Sequence, residues 1–523
     1  MNVTTDVLII GGGGSGLSAA ISAATSGAEV TVLEKCPQPG GSTGMSVGSF
    51  TAANTAYQYR AGVNDSIELF IEDMKVANGP DEARENTALR RILAENAGPT
   101  LEWLSSIGVQ FLGPTPEPPY EKPRMHNVLP NSSAYVTALL REARRRGVRI
   151  VTDARVDRLL RNARGEVVGA AVAGTRYLAH RAVVLATGDY SAAADLKAAY
   201  VGEDAARVPA VNPNSTGDGF RLGCEVGGVM LQMDRLYEGL RFPPGRFPDP
   251  IKLLPSHPSV SRVVRLIAER LPKRLLAVLL RGALTSWVGP NNTMYAAGAI
   301  LVNKHGRRLA NEDTDRALAR GVAADSGAGY MIFDAAVAER FSAWPNPVST
   351  FPGVAYAYVP DYARYRPDMF HTAATIEELA MSTGIDPEGL AETLAKIREY
   401  RAAGHDPEFG RERFGAGIGA GPYFALGPMR SYVTLADGGL AVDTTLRVTT
   451  AEGDVIPGLY AAGSTGQGGL QLLNHGLHIG WAMVSGRIAG RHAAHAAARD
   501  DLIPVGATHS VLDTPVAELS VLP

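Results

Sequence analysis

The chain opens on an apolar run, Val7-Leu8-Ile9-Ile10, that enters Gly11-Gly12-Gly13-Gly14-Ser15-Gly16 and continues into Leu17-Ser18-Ala19-Ala20. A short β-favouring run bounded by glycine predicts a buried strand, and the alanine-rich stretch after it a helix. A second run, Val30-Thr31-Val32-Leu33, predicts another strand and ends at Glu34. Helical spacing recurs over residues 88–107 and 133–146, and a strand is expected over 148–152. Residues 169–175, 177–180 and 183–188 read as a small β-meander. Further strands are expected over 298–303 and 329–334, and helices over 220–226, 376–383, 387–403 and 480–497.

From about residue 243 the pattern changes. Over residues 262–281 leucines and valines recur at helical spacing, basic residues fill the polar positions, and Pro272 splits the run into two helices. Two readings stay open for this pair. It lies on a membrane surface or at the entrance of an apolar pocket, or it is a core-packed hairpin with a solvated basic face.

At 523 residues the chain is too long for one simple core, so two or three domains are expected. A composition 45% hydrophobic and 20% charged is that of an ordinary globular protein, and a net charge of −3 gives no reason to expect nucleic acid as a partner. Cys36 and Cys224 form no metal- or haem-binding spacing, which points to a reducing, cytoplasmic setting. The run Val7–Ile10 is too short for a signal-peptide core, and no window reaches the roughly 20 apolar residues that span a bilayer.

The opening stretch carries chemistry. Gly11, Gly13 and Gly16 satisfy GxGxxG: a tight turn, a close approach of backbone to pyrophosphate, and close packing of helix on strand. Free amides at the helix start supply the anion site. Glu34 lies roughly 20 residues on, where a ribose-hydroxyl acceptor belongs. With 58 glycines in the chain the motif alone is weak. Strand, loop, helix, strand and acid in sequence make a dinucleotide site.

GGGGSG, then Glu34-Lys35, then Gly40-Gly41-Ser42-Thr43, resembles the FAD-binding opening of the fumarate reductase and succinate dehydrogenase flavoprotein family, with its 3-ketosteroid dehydrogenase-like members. The resemblance implies that the second glycine loop, through Gly48, wraps the pyrophosphate and ribityl chain. No histidine lies between Glu34 and Phe50, so it implies non-covalent FAD. Ala186-Thr187-Gly188 resembles the second FAD signature, and residues 456–463, ending at Gly463, the C-terminal one. Ser464 stands where the family has glutamate. The same resemblance assigns Gly14, Ser15, Val156, His478 and Ile479 to the cofactor. Asp218 either caps its helix or sits beside the flavin. Asp189 either brings a polar group near the isoalloxazine or lies in a solvated loop.

The family's catalytic pattern is present in part. In fumarate-reductase-like members an arginine following an Asn-Glu pair gives the proton, and Arg316 stands there after Asn311-Glu312; otherwise it pairs with Asp313 or Glu312. The rest of that site is missing. A glutamate–arginine proton path falls on Asn292 and Tyr295, a clamp arginine on residues 473–475, and a histidine on Thr434-Leu435. A dicarboxylate needs such cations, so fumarate and succinate are not expected substrates. Against the ketosteroid dehydrogenase template, Gly476 matches the amide donor, Tyr120 loosely matches a tyrosine, and Tyr295 approaches from a neighbouring strand. Asn474 and His475 precede the closing helix, and His475 is either the acid–base group or a partner of backbone.

The expected fold is α/β: a discontinuous Rossmann-like FAD-binding domain with an inserted α+β capping domain. The expected bounds are 1–235, 236–424 for the cap, 425–505 for the return, and 506–523 for a tail. The expected activity is an FAD-dependent oxidoreductase moving hydride between flavin N5 and a CH–CH or C=C unit beside a carbonyl, on a relatively apolar ketone or acid. A 3-ketosteroid Δ-dehydrogenase is the alternative; a non-catalytic FAD-binding, membrane-peripheral protein is a further one. The expected partners are a small-molecule substrate, an external electron donor or acceptor and, peripherally, a membrane.

Overall fold

In the computed structural model of the chain, the opening apolar run becomes β1 (Asn2–Ile10), the spine of an eight-stranded sheet. The structure describes all residues except 246–249, 288, 291, 326, 352, 506–509, 511, 513–514 and 523. β1 pairs in parallel with β2 (Val30–Leu33) on one side and with Thr175–Leu185 on the other. The parallel order continues outward to Arg149–Val151 and to Val455–Ala461. Both faces of such a sheet are covered, so its strands carry continuous apolar runs, and Val7, Leu8 and Ile9 have no exposed surface. Thr175–Leu185 is one strand of 11 residues, where the sequence suggested two segments: it pairs with both β1 and Val167–Val172.

Two helices cover one face by approaching each other unusually closely. α1 (Gly14–Thr25) lies against the closing helix Leu477–His495. A Cβ added at Gly486 would stand 2.3 Å from the carbonyl oxygen of Ser15, and one at Gly490 would stand 2.1 Å from that of Ala19. Ser22 Oγ donates to the Arg487 carbonyl at 2.8 Å along the same seam. The closing helix begins at Leu477, three residues before the expected start, so His478 and Ile479 lie in its first turn.

A second unit is built around the 14-residue strand Tyr423–Ala436, which pairs antiparallel with Leu236–Arg241, Gly329–Phe333 and Phe370–Ala373. The expected junction at residues 424/425 falls inside this strand. Met294, Leu301, Phe333, Tyr362 and Leu426 form its core. Pro272 divides two helices, Pro258–Arg270 and Lys273–Trp287, as expected. The first lies against the strand Gln110–Thr115 of the FAD-binding unit, and the second buries Ala283 and Leu284 against the cap. Their outer faces leave Val263, Ile267, Leu275 and Leu279 more than 45% exposed, so the pair is not simply a core-packed hairpin. In the tail, Val521–Leu522 joins Met230–Leu231 as a short parallel strand; residues 506–509, 511, 513–514 and 523 of the expected tail lie outside the described residues.

The seam makes a direct prediction. Gly490→Val forces a side chain into the Ala19 carbonyl, and overpacking of this kind costs about 1–3 kcal/mol. Thermal unfolding of the variant should show a lowered midpoint and weakened flavin retention; an unchanged midpoint would mean the helices do not depend on this approach.

Candidate functional site

The glycines of the first loop divide the work between packing and ligand. Gly11 has φ +107°, and a Cβ there would meet the Ala186 carbonyl at 2.3 Å, so the loop sits directly on Ala186-Thr187-Gly188. A Cβ at Gly16 would meet the Gly11 carbonyl at 1.9 Å, whereas one at Gly13 would meet nothing within 4 Å. Gly16 therefore packs helix on strand, and Gly13 leaves the backbone open to a ligand. The second loop joins the first: Gly40 N donates to the Gly12 carbonyl at 3.0 Å, and Gly14 N to Thr43 Oγ1 at 3.2 Å. Gly41 has φ +50° beside Gly13, and Asn212 Nδ2 donates to Ser42 Oγ at 2.9 Å. Gly48 closes the loop, its carbonyl accepting from Tyr135 Oη at 3.0 Å.

Glu34 is 8% exposed at the end of β2. One carboxylate oxygen accepts from Gly12 N at 2.7 Å and the other from Cys36 N at 2.8 Å, which fixes it beside the glycine loop with lone pairs to spare. Next to it a cleft of about 580 Å³ is lined by Lys35, Cys36, Arg155 and Thr216 among others, with buried Val156 adjoining Arg155. Asp218 is the first residue of its helix, whose N-cap position is Gly217. Its carboxylate takes Lys35 Nζ and Arg155 Nε, each at 3.2 Å, and Thr216 Oγ1 at 2.7 Å. Burial would raise its pKa, but these partners hold it below the usual carboxylate range.

Two residues that sequence reasoning passed over tie the loops together. Thr465, fully buried, accepts from Thr187 N at 3.0 Å and donates to the Gly188 carbonyl at 3.0 Å, and Thr187 Oγ1 accepts from Gly219 N. Ser485 Oγ accepts from Gly463 N at 2.8 Å, where φ is +65°. Ser464 follows, partly exposed. Asp189 does not lie in a solvated loop: it is buried and accepts from Ser191 Oγ and Ala436 N.

Beyond this cradle the segment Leu470–His478 meets the strand Ser49–Thr51 and the proline-rich loop. Thr51 Oγ1 donates to the His475 carbonyl at 2.7 Å, and a Cβ on Gly476 (φ +82°) would strike Thr51 N. His475 Nδ1 lies 2.5 Å from Oε1 of Glu117, a buried carboxylate, while its ring is 69% exposed. The Glu117 hydrogen bond raises the imidazole pKa above its usual value. Tyr120 Oη and Asn474 Nδ2 are buried beside each other, and His478 Nε2, 3.6 Å from Asp437 Oδ1, is buried as well, which depresses its pKa. Tyr237 Oη donates to Asp437 at 3.0 Å, and Gln467 Nε2 donates to the same carboxylate at 2.8 Å. Glu117 and Asp437 gave no sequence signal beyond their neighbours, Tyr120 and the Gly438-Gly439 pair.

Arg316 and Tyr295 are not brought to this group. Arg316, 59% exposed on the helix Asp315–Ala324, has Glu238 as its nearest carboxylate at 3.8 Å. The alternative partners suggested by the sequence are engaged elsewhere, Asp313 by Arg413 and Glu312 by Arg308 and Arg411. Tyr295 sits on the short helix Thr293–Ala297, not on a strand, and is buried in the cap core at 2% exposure. The residues present fit FAD: an open backbone at Gly13, a buried acid at the ribose position, and buried polar atoms of Tyr120, Asn474 and His478 with hydrogen-bonding capacity to spare at the far end of the cradle.

Comparison with known proteins agrees. A family model described as "FAD binding domain" matches residues 6–270 and 282–477. The chain is 28% identical to "Probable fumarate reductase Ifc3" of Shewanella frigidimarina (strain NCIMB 400), over 94% of this chain and 75% of that protein. Among solved structures it resembles the open conformation of a flavocytochrome c3 fumarate reductase, with a TM-score of 0.70 and 27% identity over 95% of this chain and 79% of that one. In fold it also resembles a 3-ketosteroid-Δ4-(5α)-dehydrogenase of Rhodococcus jostii RHA1, with a TM-score of 0.58 and 23% identity over 94% of this chain and 97% of that one. The chain belongs to the FAD binding domain family and is an FAD-dependent oxidoreductase.

Proposed function

We propose that the protein moves hydride between flavin and a CH–CH or C=C unit beside a carbonyl, on a substrate less charged than fumarate, with FAD held non-covalently. The observation that carries this reading is the segment Leu472-Leu473-Asn474-His475-Gly476, which offers neutral donors and one imidazole where a dicarboxylate would need cationic clamps. When bound, FAD supplies the hydride chemistry; the chain supplies orientation and the second proton. In the proposed site Tyr120 and Asn474 hydrogen-bond the carbonyl that activates the carbon–carbon bond. His475 gives or takes the proton, and Glu117 holds its ring and keeps it protonated to higher pH. Arg316 is the competing proton carrier, from the cap side. A 3-ketosteroid as substrate is a narrower form of the same reading.

We further propose that the helical pair Pro258–Arg270 and Lys273–Trp287 contacts an anionic membrane surface. Six basic residues stand against the single acid Glu269 across these two helices, in a chain whose net charge is −3. Exposed Val263, Ile267, Leu275 and Leu279 supply the apolar face such contact needs.

The proton assignment predicts a split among variants. His475→Gln should lower the rate of flavin reduction or reoxidation by about 100-fold or more, the lower end for a lost general acid or base, while Arg316→Lys keeps most of it. The pairing raises the imidazole pKa, so acid-form activity should persist to higher pH and fall as pH rises through that pKa. Glu117→Gln should move that fall to lower pH. A severe loss in Arg316→Lys with little change in His475→Gln would place the proton carrier in the cap. For the helical pair, co-sedimentation with phosphatidylglycerol vesicles is expected at low salt, with release as salt rises; no binding at low salt would remove the membrane contact.

A further inference from the structure

The strand Leu236–Arg241 connects the flavin-side network to the cap, and its residues alternate between two faces. Glu238 faces the helix Asp315–Ala324, where Arg320 Nη2 holds it at 2.9 Å. Tyr237 faces the other way, toward Asp437 and the Leu472 carbonyl. Gly239 and Arg241 share the face of Tyr237. Pairing with Tyr423–Ala436 sets Gly239 opposite Tyr432 and Arg241 opposite Arg430.

Three features of this face point to a ligand. Like charges directly opposite across antiparallel strands repel, yet among the described residues neither arginine has a carboxylate partner. Arg241 is partly withdrawn from water, which depresses its pKa, and its guanidinium donates to the exposed hydroxyl of Thr434 at 3.1 Å. The guanidinium thus turns back along the strand toward the flavin side, because Thr434 lies on the partner strand beyond Tyr432. Gly239 completes the arrangement. A Cβ added there would meet nothing within 4 Å, and its φ is not in the left-handed region. The backbone does not require glycine at this point; the missing side chain leaves a notch between Tyr237 and the guanidinium.

We propose that this notch takes the carboxylate of the substrate, held by Arg241 and the Thr434 hydroxyl over Gly239. The carbon skeleton then runs past Tyr237 toward Tyr120, Asn474 and His475. The substrate class is a monocarboxylic acid with an apolar body, one anionic end held by a planar fork suited to carboxylate. This rests on the oxidoreductase reading above and narrows it.

The test uses the FAD-loaded full chain and flavin difference absorbance, which needs no turnover. Benzoate and cyclohexanecarboxylate are titrated against benzamide and cyclohexanecarboxamide. The acids should perturb the flavin spectrum with saturation and the amides should not. Arg241→Gln should weaken acid binding about tenfold or more, as expected for a lost charged hydrogen bond, with Arg241→Lys in between. Gly239→Leu should block the acids while leaving the guanidinium in place, which keeps the test decisive if Arg241→Gln folds poorly. Acids that fail to bind the wild type, amides that bind as well as acids, or acid binding unchanged in both variants would each overturn the proposal. Acid binding lost in the variants of a protein that turns over no ketone or enoic acid would leave the anchor standing and refute the oxidoreductase reading instead.

Discussion

Everything in this protein depends on backbone approaching backbone where a side chain would not fit. At Gly11, Gly16, Gly486 and Gly490 an added Cβ would stand between 1.9 and 2.3 Å from a carbonyl oxygen. These four contacts press the first loop onto Ala186, the first helix onto β1, and the closing helix onto the first. The result is a rigid floor from which the open backbone at Gly13 faces a pyrophosphate without side chains in the way. Thr465 and Ser485 then lock the return segment to the same floor through hydroxyls, so cofactor loops far apart in the sequence share one frame.

The cofactor side was legible because its chemistry is local. A strand, a glycine loop and an acid roughly 20 residues later are all set by adjacent residues, and Glu34 stands where that spacing puts it. The catalytic side was less so, because its partners meet only in the fold. Glu117 reaches His475 across 358 residues of sequence, Tyr237 reaches Asp437 across 200, and Arg241 reaches Thr434 across 193. Motif reasoning drew Arg316 and Tyr295 into the site because they follow a pattern in the family. The structure puts one on an exposed helix and the other inside the cap core. Asp218, expected either to cap its helix or to sit beside the flavin, has its carboxylate held by Lys35 and Arg155, which no local pattern announced.

The substrate side follows from what replaced the cations. His475 sits between a buried acid and open solvent, a setting that favours a titrating group, while Tyr120 and Asn474 present buried donors nearby. One desolvated arginine, two residues along the strand from the notch at Gly239, supplies positive charge for a single anionic end. The helical pair broken at Pro272 adds an apolar, basic surface outside this site, where the cap helix meets the FAD-binding unit.

The most direct measurement of the central claim is anaerobic flavin spectroscopy of the purified wild-type protein with paired saturated and unsaturated substrates. The oxidised flavin should be bleached by a saturated oxo acid, or the reduced flavin reoxidised by its enoic counterpart, while succinate and fumarate leave it unchanged. Rapid turnover of fumarate or succinate, or a flavin that responds to no member of the panel, would contradict that claim.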